Sequence, residues 1–302
     1  QRPAKPFTPV RFRIQPPIVM KIGIIGYGFV GKAISDALND NIDICKIDPK
    51  LNTSIIDLKE FQPEATFICL PTPMNDDGSQ DIRILKNTIL EIKKMNISGL
   101  IIIKSTVHPG NIDEIQSIFP EFVYNPEFLR EKHASEDFIN SNLIVFGGEK
   151  KSCSLLSTIY LNHFKCINKD HIHTDAKAAS LIKYTINSFL ATKVIFFNEM
   201  NNLFNATNSN ETWKNFISFL SRDSRIGNSH MMVPGHDERR GFGGACLPKD
   251  AAAIVKYAES KDIDMNLIKN SIKTNNKIRA SYNKRIDRED DQNIKYNNLK
   301  EE

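Results

Sequence analysis

The chain has 302 residues, is 40% hydrophobic and 25% charged, and carries a net charge of +4 at pH 7. These are ordinary values for a globular protein of about two domains. The charge is too weak and too scattered for nucleic-acid binding, though it is compatible with an anionic small molecule. No apolar run reaches the roughly 18 residues of a membrane-spanning helix. Cys45, Cys69, Cys153, Cys166 and Cys246 are odd in number and lack CxxC spacing, which excludes a disulfide framework and a zinc site and points to a reducing, cytoplasmic setting.

Residues 1–19 are basic and proline-rich with no continuous apolar stretch, unlike a secretory signal. Met20 before KIGIIG reads as a start, so 1–19 are expected to be a disordered extension. From 20 to 172, short apolar strands (KIGIIG, IDICKID, ATFICLP, GLIIIKST, EFVYNPE, NLIVFGG) alternate with helical segments. That alternation predicts an α/β domain of Rossmann type, a parallel sheet with helices on both faces. From 173 to 283 the pattern is helical. DAKAASLIKYTINSFLATKVIFFNEMNNLFNAT keeps helical spacing without proline or glycine and predicts one helix of about thirty residues. Residues 284–302 are polar and highly charged, and are expected to fray.

Within the first domain, GYGFVG (Gly26, Gly28, Phe29, Val30, Gly31) follows a strand and opens a helix. Asp48 ends the next strand, twenty residues after Gly28. Together these form a dinucleotide fingerprint. Gly26 permits the tight turn, Gly28 lets a pyrophosphate approach the helix N-terminus, and Gly31 permits close helix–strand packing. Asp48 would accept from the adenosine ribose and repel a 2′-phosphate, so NAD is favoured over NADP. Thr72 and Pro73, in LPTP, fall at the sheet edge where such folds bind ligands.

In the second domain, GFGGACLPKD places Cys246 close to a helix N-terminus, with Pro248 suited to the first turn. Such a setting can lower a thiol from ~8.5 by a unit or more. A buried, inert cysteine is the structural alternative, and the local pattern leaves both open. Lys183 and Asn187, four apart on the long helix, share one face. Taken singly, such residues are more often solvated polar groups. The seven histidines show no metal-ligand spacing and are read as loop or surface residues.

GYGFVG, PTPMNDDGSQD, KSTVHPG, YNPEFLRE, LIKYTINSFLA, RIGNSH and GFGGACLPKD occur in an order that resembles the UDP-glucose/GDP-mannose dehydrogenase family, from residue 21 to about 260. The resemblance implies oxidation of a nucleotide sugar at C6 to the acid, using NAD twice, as in the conversion of UDP-glucose to UDP-glucuronate for polysaccharide biosynthesis. It implies Cys246 as nucleophile, through a thiohemiacetal and a thioester. It implies Glu127 as base for thioester hydrolysis, Thr106 as a holder of water, and Lys183 and Asn187 as oxyanion donors. Asp250 would orient water or Lys183. Phe128, Leu129, Arg130, Phe242, Gly243 and Gly244 would line the sugar site, and Arg225 would reach a neighbouring subunit in a homodimer built on the long helix.

Two features depart from the family pattern. The family's third, nucleotide-sugar-binding domain is expected to be absent, and Lys132-His133 stand where many relatives have a glycine and a small residue. GFGGACLPKD and the VPG loop resemble bacterial UDP-glucose enzymes, whereas NPEFLRE also suits GDP-mannose. A GDP-mannose 6-dehydrogenase and a non-catalytic NAD-binding or dimerisation protein therefore stay open as alternatives.

Overall fold

The structure is a computed structural model that describes residues 19–282 and 286–296. The expectations for 1–18 and for the ends of the tail, 284–285 and 297–302, lie outside the described residues.

The first domain runs β1 (Lys21–Ile25), α1 (Phe29–Ala37), β2 (Asp43–Ile47), α2 (Ile55–Phe61), β3 (Ala65–Ile68), α3 (Arg83–Met95), β4 (Leu100–Ile103), α4 (Pro109–Ile118), β5 (Phe122–Tyr124), α5 (Ala134–Ile139), β6 (Val145–Gly148), α6 (Lys150–His163) and β7 (Ile172–Thr174). The inner strands ATFI and LIII are apolar at every position but Thr66 because helices cover both faces of the sheet. The strand order is β2-β1-β3-β4-β5-β6-β7. All pairs are parallel except β5 with β6, which is antiparallel. The C-terminal ends of β1, β3, β4 and β5 therefore share one edge, and the chain order reverses beside β1, which is the place for a ligand crevice in such a sheet.

The sheet runs on through β7, so the domain boundary expected at residue 172 falls inside a strand. β7 reads IHT and is largely exposed, so no apolar run announces it.

The second domain is built on α7 (Ala176–Ala206), with Asp175 capping its start by accepting from the Lys177 and Ala178 N–H groups. At 31 residues it matches the uninterrupted helical pattern. Its first turns press into the sheet domain at Gly147, where a Cβ would lie 2.5 Å from Ala179 Cβ and 2.8 Å from Ala176 Cα. α8 (Trp213–Leu220), α9 (Leu247–Glu259) and α10 (Asn266–Arg279) follow. Ala191 and Ile195 of α7 form a core with Phe242 and Ala251, and Tyr184 joins Ala253 and Ile254 of α9 in another.

Within the tail, residues 286–296 do not fray. They form α11 (Asp287–Asp291) and fold back onto the protein, with Glu289, Ile294 and Tyr296 buried. The fraying expectation fails there because the two apolar side chains find cover and the charges find partners: Lys295 pairs with Asp76 and Arg288 with Glu131, each at 2.6 Å.

Candidate functional site

The GYGFVG turn leaves β1 with Gly26 at φ +86°, a left-handed conformation that disfavours a side chain. A Cβ on Gly31 would lie 2.2 Å from the Gly26 carbonyl oxygen, so helix and turn meet closely there. A Cβ on Gly28 would meet nothing within 4 Å. That open, exposed position at the N-terminus of α1 is a cradle that fits a dinucleotide pyrophosphate. Phe29 and Val30 begin α1 and pack partly against the core. Asp48, just past β2, accepts from the Tyr27 N–H at 2.8 Å and the Lys50 N–H at 2.9 Å. Its carboxylate thus lies against the glycine turn. Thr72 and Pro73 leave the loop after β3. The Thr72 hydroxyl donates to the Thr106 carbonyl at 2.8 Å, tying that loop to the one after β4.

The loops after β4 and β5 carry the chemical groups. Asn125 and Glu127 are buried just past β5. From α7, the Lys183 ammonium donates to the Glu127 main-chain oxygen at 2.6 Å and to its carboxylate at 3.1 Å. One turn on, the Asn187 amide donates to Asp250 at 2.6 Å, and Lys249 donates to the other Asp250 oxygen at 2.6 Å. Burial alone would raise the Glu127 carboxyl. The Lys183 ammonium and the Leu129 N–H outweigh it and hold the carboxyl below the usual range. Burial would likewise lower Lys183, but Glu127, Cys246 and Asp250 hold it above the ordinary amine range.

Cys246 stands at the N-cap position of α9, its side chain making no capping bond, and lies within the field of Glu127, Lys183, Lys249 and Asp250. Six residues from three stretches far apart in sequence, 127, 183 with 187, and 246 with 249 and 250, therefore converge where the two domains meet. The resting thiol is not held ionised as the helix terminus suggested. Part of the residue stays accessible, yet desolvation, with Glu127 second, pushes the thiol up to about 11, and Lys183 and Lys249 only partly offset this.

Other expected residues fall in different surroundings. Phe128 has the Lys183 ammonium 5.4 Å from its ring centroid. Leu129 packs against the sheet-domain core. Arg130 does not aim freely at a sugar, since its guanidinium is paired with Asp137 at 2.7 Å. Arg225 is exposed and paired with Asp223 at 2.6 Å. Phe242 is a core residue whose main chain is gripped by Asn275, at 2.7 Å and 3.0 Å. Gly243 is a glycine because of the protein itself: a Cβ would fall 1.4 Å from Arg279 Nη2. Gly244 alone of these three faces open space. Asp250 is bonded to Asn187 and Lys249, with no hydrogen bond to Lys183.

Gln80 was not anticipated. Its side chain donates to the Thr106 carbonyl at 2.8 Å and to the Tyr184 hydroxyl at 2.9 Å, and accepts from the His108 N–H at 3.2 Å and the Asn111 amide at 3.0 Å. The only sequence signal for it was its place in PTPMNDDGSQD. Among the described residues, no group of three or more His, Cys, Asp or Glu side chains is arranged to hold a metal. None of their helices is long and apolar enough to cross a membrane.

Residues 38–164 match the NAD binding domain of the UDP-glucose/GDP-mannose dehydrogenase family, and residues 177–277 match its central domain. The chain is 33% identical over 289 residues to a UDP-glucose 6-dehydrogenase of Rickettsia prowazekii, covering 86% of this chain and 64% of that protein. It is 32% identical over 283 residues to the Rickettsia typhi protein of the same name, covering 84% and 63%. The chain thus spans less than two thirds of these relatives' length. A UDP-glucose dehydrogenase from the archaeon Pyrobaculum islandicum superposes with a TM-score of 0.69 at 25% identity, covering 87% of this chain and 69% of that one. With the glycine cradle, the sheet order and the two matched domains in agreement, the chain belongs to the UDP-glucose/GDP-mannose dehydrogenase family.

Proposed function

We propose that this chain oxidises the C6 hydroxymethyl group of a nucleotide sugar to a carboxylate, converting UDP-glucose to UDP-glucuronate, through a covalent step at Cys246. The observation that carries this reading is the convergence of Cys246 with the Lys183–Glu127 pair, on the sheet edge that also bears the dinucleotide cradle. NAD, when bound, supplies the hydride acceptor for each of the two oxidations.

The residues then divide the work. Lys183 and Asn187 present donors to the oxygen at C6 as it gains negative charge. The Cys246 sulfur bonds to the aldehyde carbon. The thiol loses its proton as it attacks, and Lys183 and Lys249 are the cations that favour the sulfur anion. Loss of the second hydride leaves a thioester. Glu127 takes a proton from water, with Thr106 beside it, and the water oxygen displaces the sulfur as the acid forms. Per sugar, two hydrides leave to NAD, one water enters, and three protons, one of them from the C6 hydroxyl, pass to solvent.

Incubation with NAD and UDP-glucose, or with GDP-mannose, tests the reading by counting NADH per sugar consumed. Two NADH support the covalent oxidation and the preferred sugar names the substrate. One NADH indicates a simple alcohol dehydrogenase, and none indicates a binding-only protein.

The same proposal includes a homodimer. Leu181, Phe189, Phe196 and Leu203 are exposed apolar residues at helical spacing along α7. Light scattering of the purified chain tests this, with a monomer as the contrary result. The five unpaired cysteines fit a reducing compartment, the cytoplasm in this reading.

A further inference from the structure

Residues 286–296 lie against four separate parts of the site region. The Met74 N–H donates to the Gln292 carbonyl at 3.1 Å, and the Asn293 amide donates to the Met74 carbonyl at 2.9 Å. Lys295 pairs with Asp76. Arg288 bonds Glu131 and stands 5.5 Å from the ring of Phe29 at the dinucleotide cradle. The fourth contact reaches the cysteine loop. Glu289 is fully buried, and its carboxylate accepts from the Gly244 N–H at 3.2 Å and from the Tyr296 hydroxyl at 2.6 Å.

Gly244 stands two residues before Cys246. It has φ +78°, and no atom lies within 4 Å of the place a Cβ would take. Side-chain packing therefore does not hold the main chain on that side, and glycine gives it the widest conformational freedom. Gly243, one residue back, is wedged by Arg279, whose guanidinium reaches Asp237 at 2.6 Å and Glu289 at 3.6 Å. The polar anchor of Gly244 is Glu289.

We propose that Glu289 is a positioning residue for Cys246: the 286–296 strap, docked on the loop after β3, carries a buried carboxylate that fixes the Gly244 main chain and thereby sets where the sulfur stands. The inference rests on the covalent role of Cys246 for its catalytic meaning, but not for its test.

The test follows amide exchange of the 241–247 peptide and the alkylation rate of Cys246 by mass spectrometry, with Cys69 as internal control. The variants are Glu289→Gln, Tyr296→Phe and the surface pair Asn293→Ala with Lys295→Ala, which loosens the strap without touching the buried carboxylate. Expected are faster exchange of 241–247 and a change of roughly threefold or more in Cys246 alkylation, with Cys69 alkylation and NADH affinity unchanged. Where turnover is present, kcat falls and KM for NAD holds. Folded variants with exchange and Cys246 alkylation like the parent chain overturn the proposal, and the surface pair decides if Glu289→Gln does not fold. Altered labelling in a chain that oxidises no nucleotide sugar upholds the positioning role while refuting the oxidation.

Discussion

Lys183 holds Glu127 by two bonds at once, one to the carboxylate and one to the main-chain oxygen of the same residue. A single ammonium from α7 thus fixes both the turn after β5 and the orientation of its acid.

Lys183→Met should strand a buried carboxylate and lower stability by ~3–5 kcal/mol. Glu127→Gln should cost less, because the ammonium keeps its main-chain acceptor. The depressed Glu127 carboxyl contributes stability that is present above ~4.3 and lost as pH falls through its lower folded value. The raised Lys183 contributes stability that is present below ~10.4 and lost as pH rises through its higher folded value. Denaturant titrations across pH check both limbs, and Glu127→Gln should flatten the acid one.

Cys246→Ser should leave NADH binding intact and stop acid formation. With the thiol at about 11, alkylation of Cys246 should rise roughly tenfold per pH unit between neutral pH and about 9, since the thiolate is the reacting species. Peptide mapping after timed iodoacetamide exposure gives the profile, and a plateau below pH 8 would contradict the desolvated environment.

Gly28→Val and Gly31→Ala should separate binding from folding. The first adds atoms to open space and should weaken NADH binding by about tenfold or more with the melting temperature held. The second drives a Cβ into the Gly26 carbonyl and should cost ~1–3 kcal/mol. Fluorescence titration of NADH beside thermal melting distinguishes them.

Asp48→Ser should bring NADPH binding toward that of NADH by removing the charge that repels a 2′-phosphate. Asp48 also caps the turn at Lys50, so a stability loss of ~1 kcal/mol should accompany the change. Paired titrations with both dinucleotides measure the ratio.

His108 caps α4, its ring nitrogen accepting from the Gly110 and Asn111 N–H groups, and burial depresses it to about 4. Its contribution is present above the unfolded value of ~6.5 and lost as pH falls toward about 4. His108→Asn keeps a capping acceptor and should remove that part of the acid sensitivity in the same denaturant series.

The alternation of apolar runs made the sheet and its helices legible, and an unbroken stretch without glycine or proline made α7 so. The glycine turn with Asp48, and the shared face of Lys183 and Asn187, were visible because they depend on local geometry. Gln80, Arg279 and Glu289 were not, because each acquires its role only through partners dozens of residues away. The tail misled for a related reason. Its charges looked solvated in isolation, yet Asp76 and Glu131 await them across the chain. The high thiol value at Cys246 was also hidden, since a helix terminus can be read from order alone but desolvation cannot.

The seam at Gly147 has a mechanical corollary. Ala176 and Ala179 are seated so tightly on β6 that the opening turns of α7, Lys183 included, must travel with the sheet. Tyr184, packed on Ala253 and Ile254, and Asn187, bonded to Asp250, fasten the start of α9 to those same turns, so sulfur, base and cation are carried in one frame with the sheet.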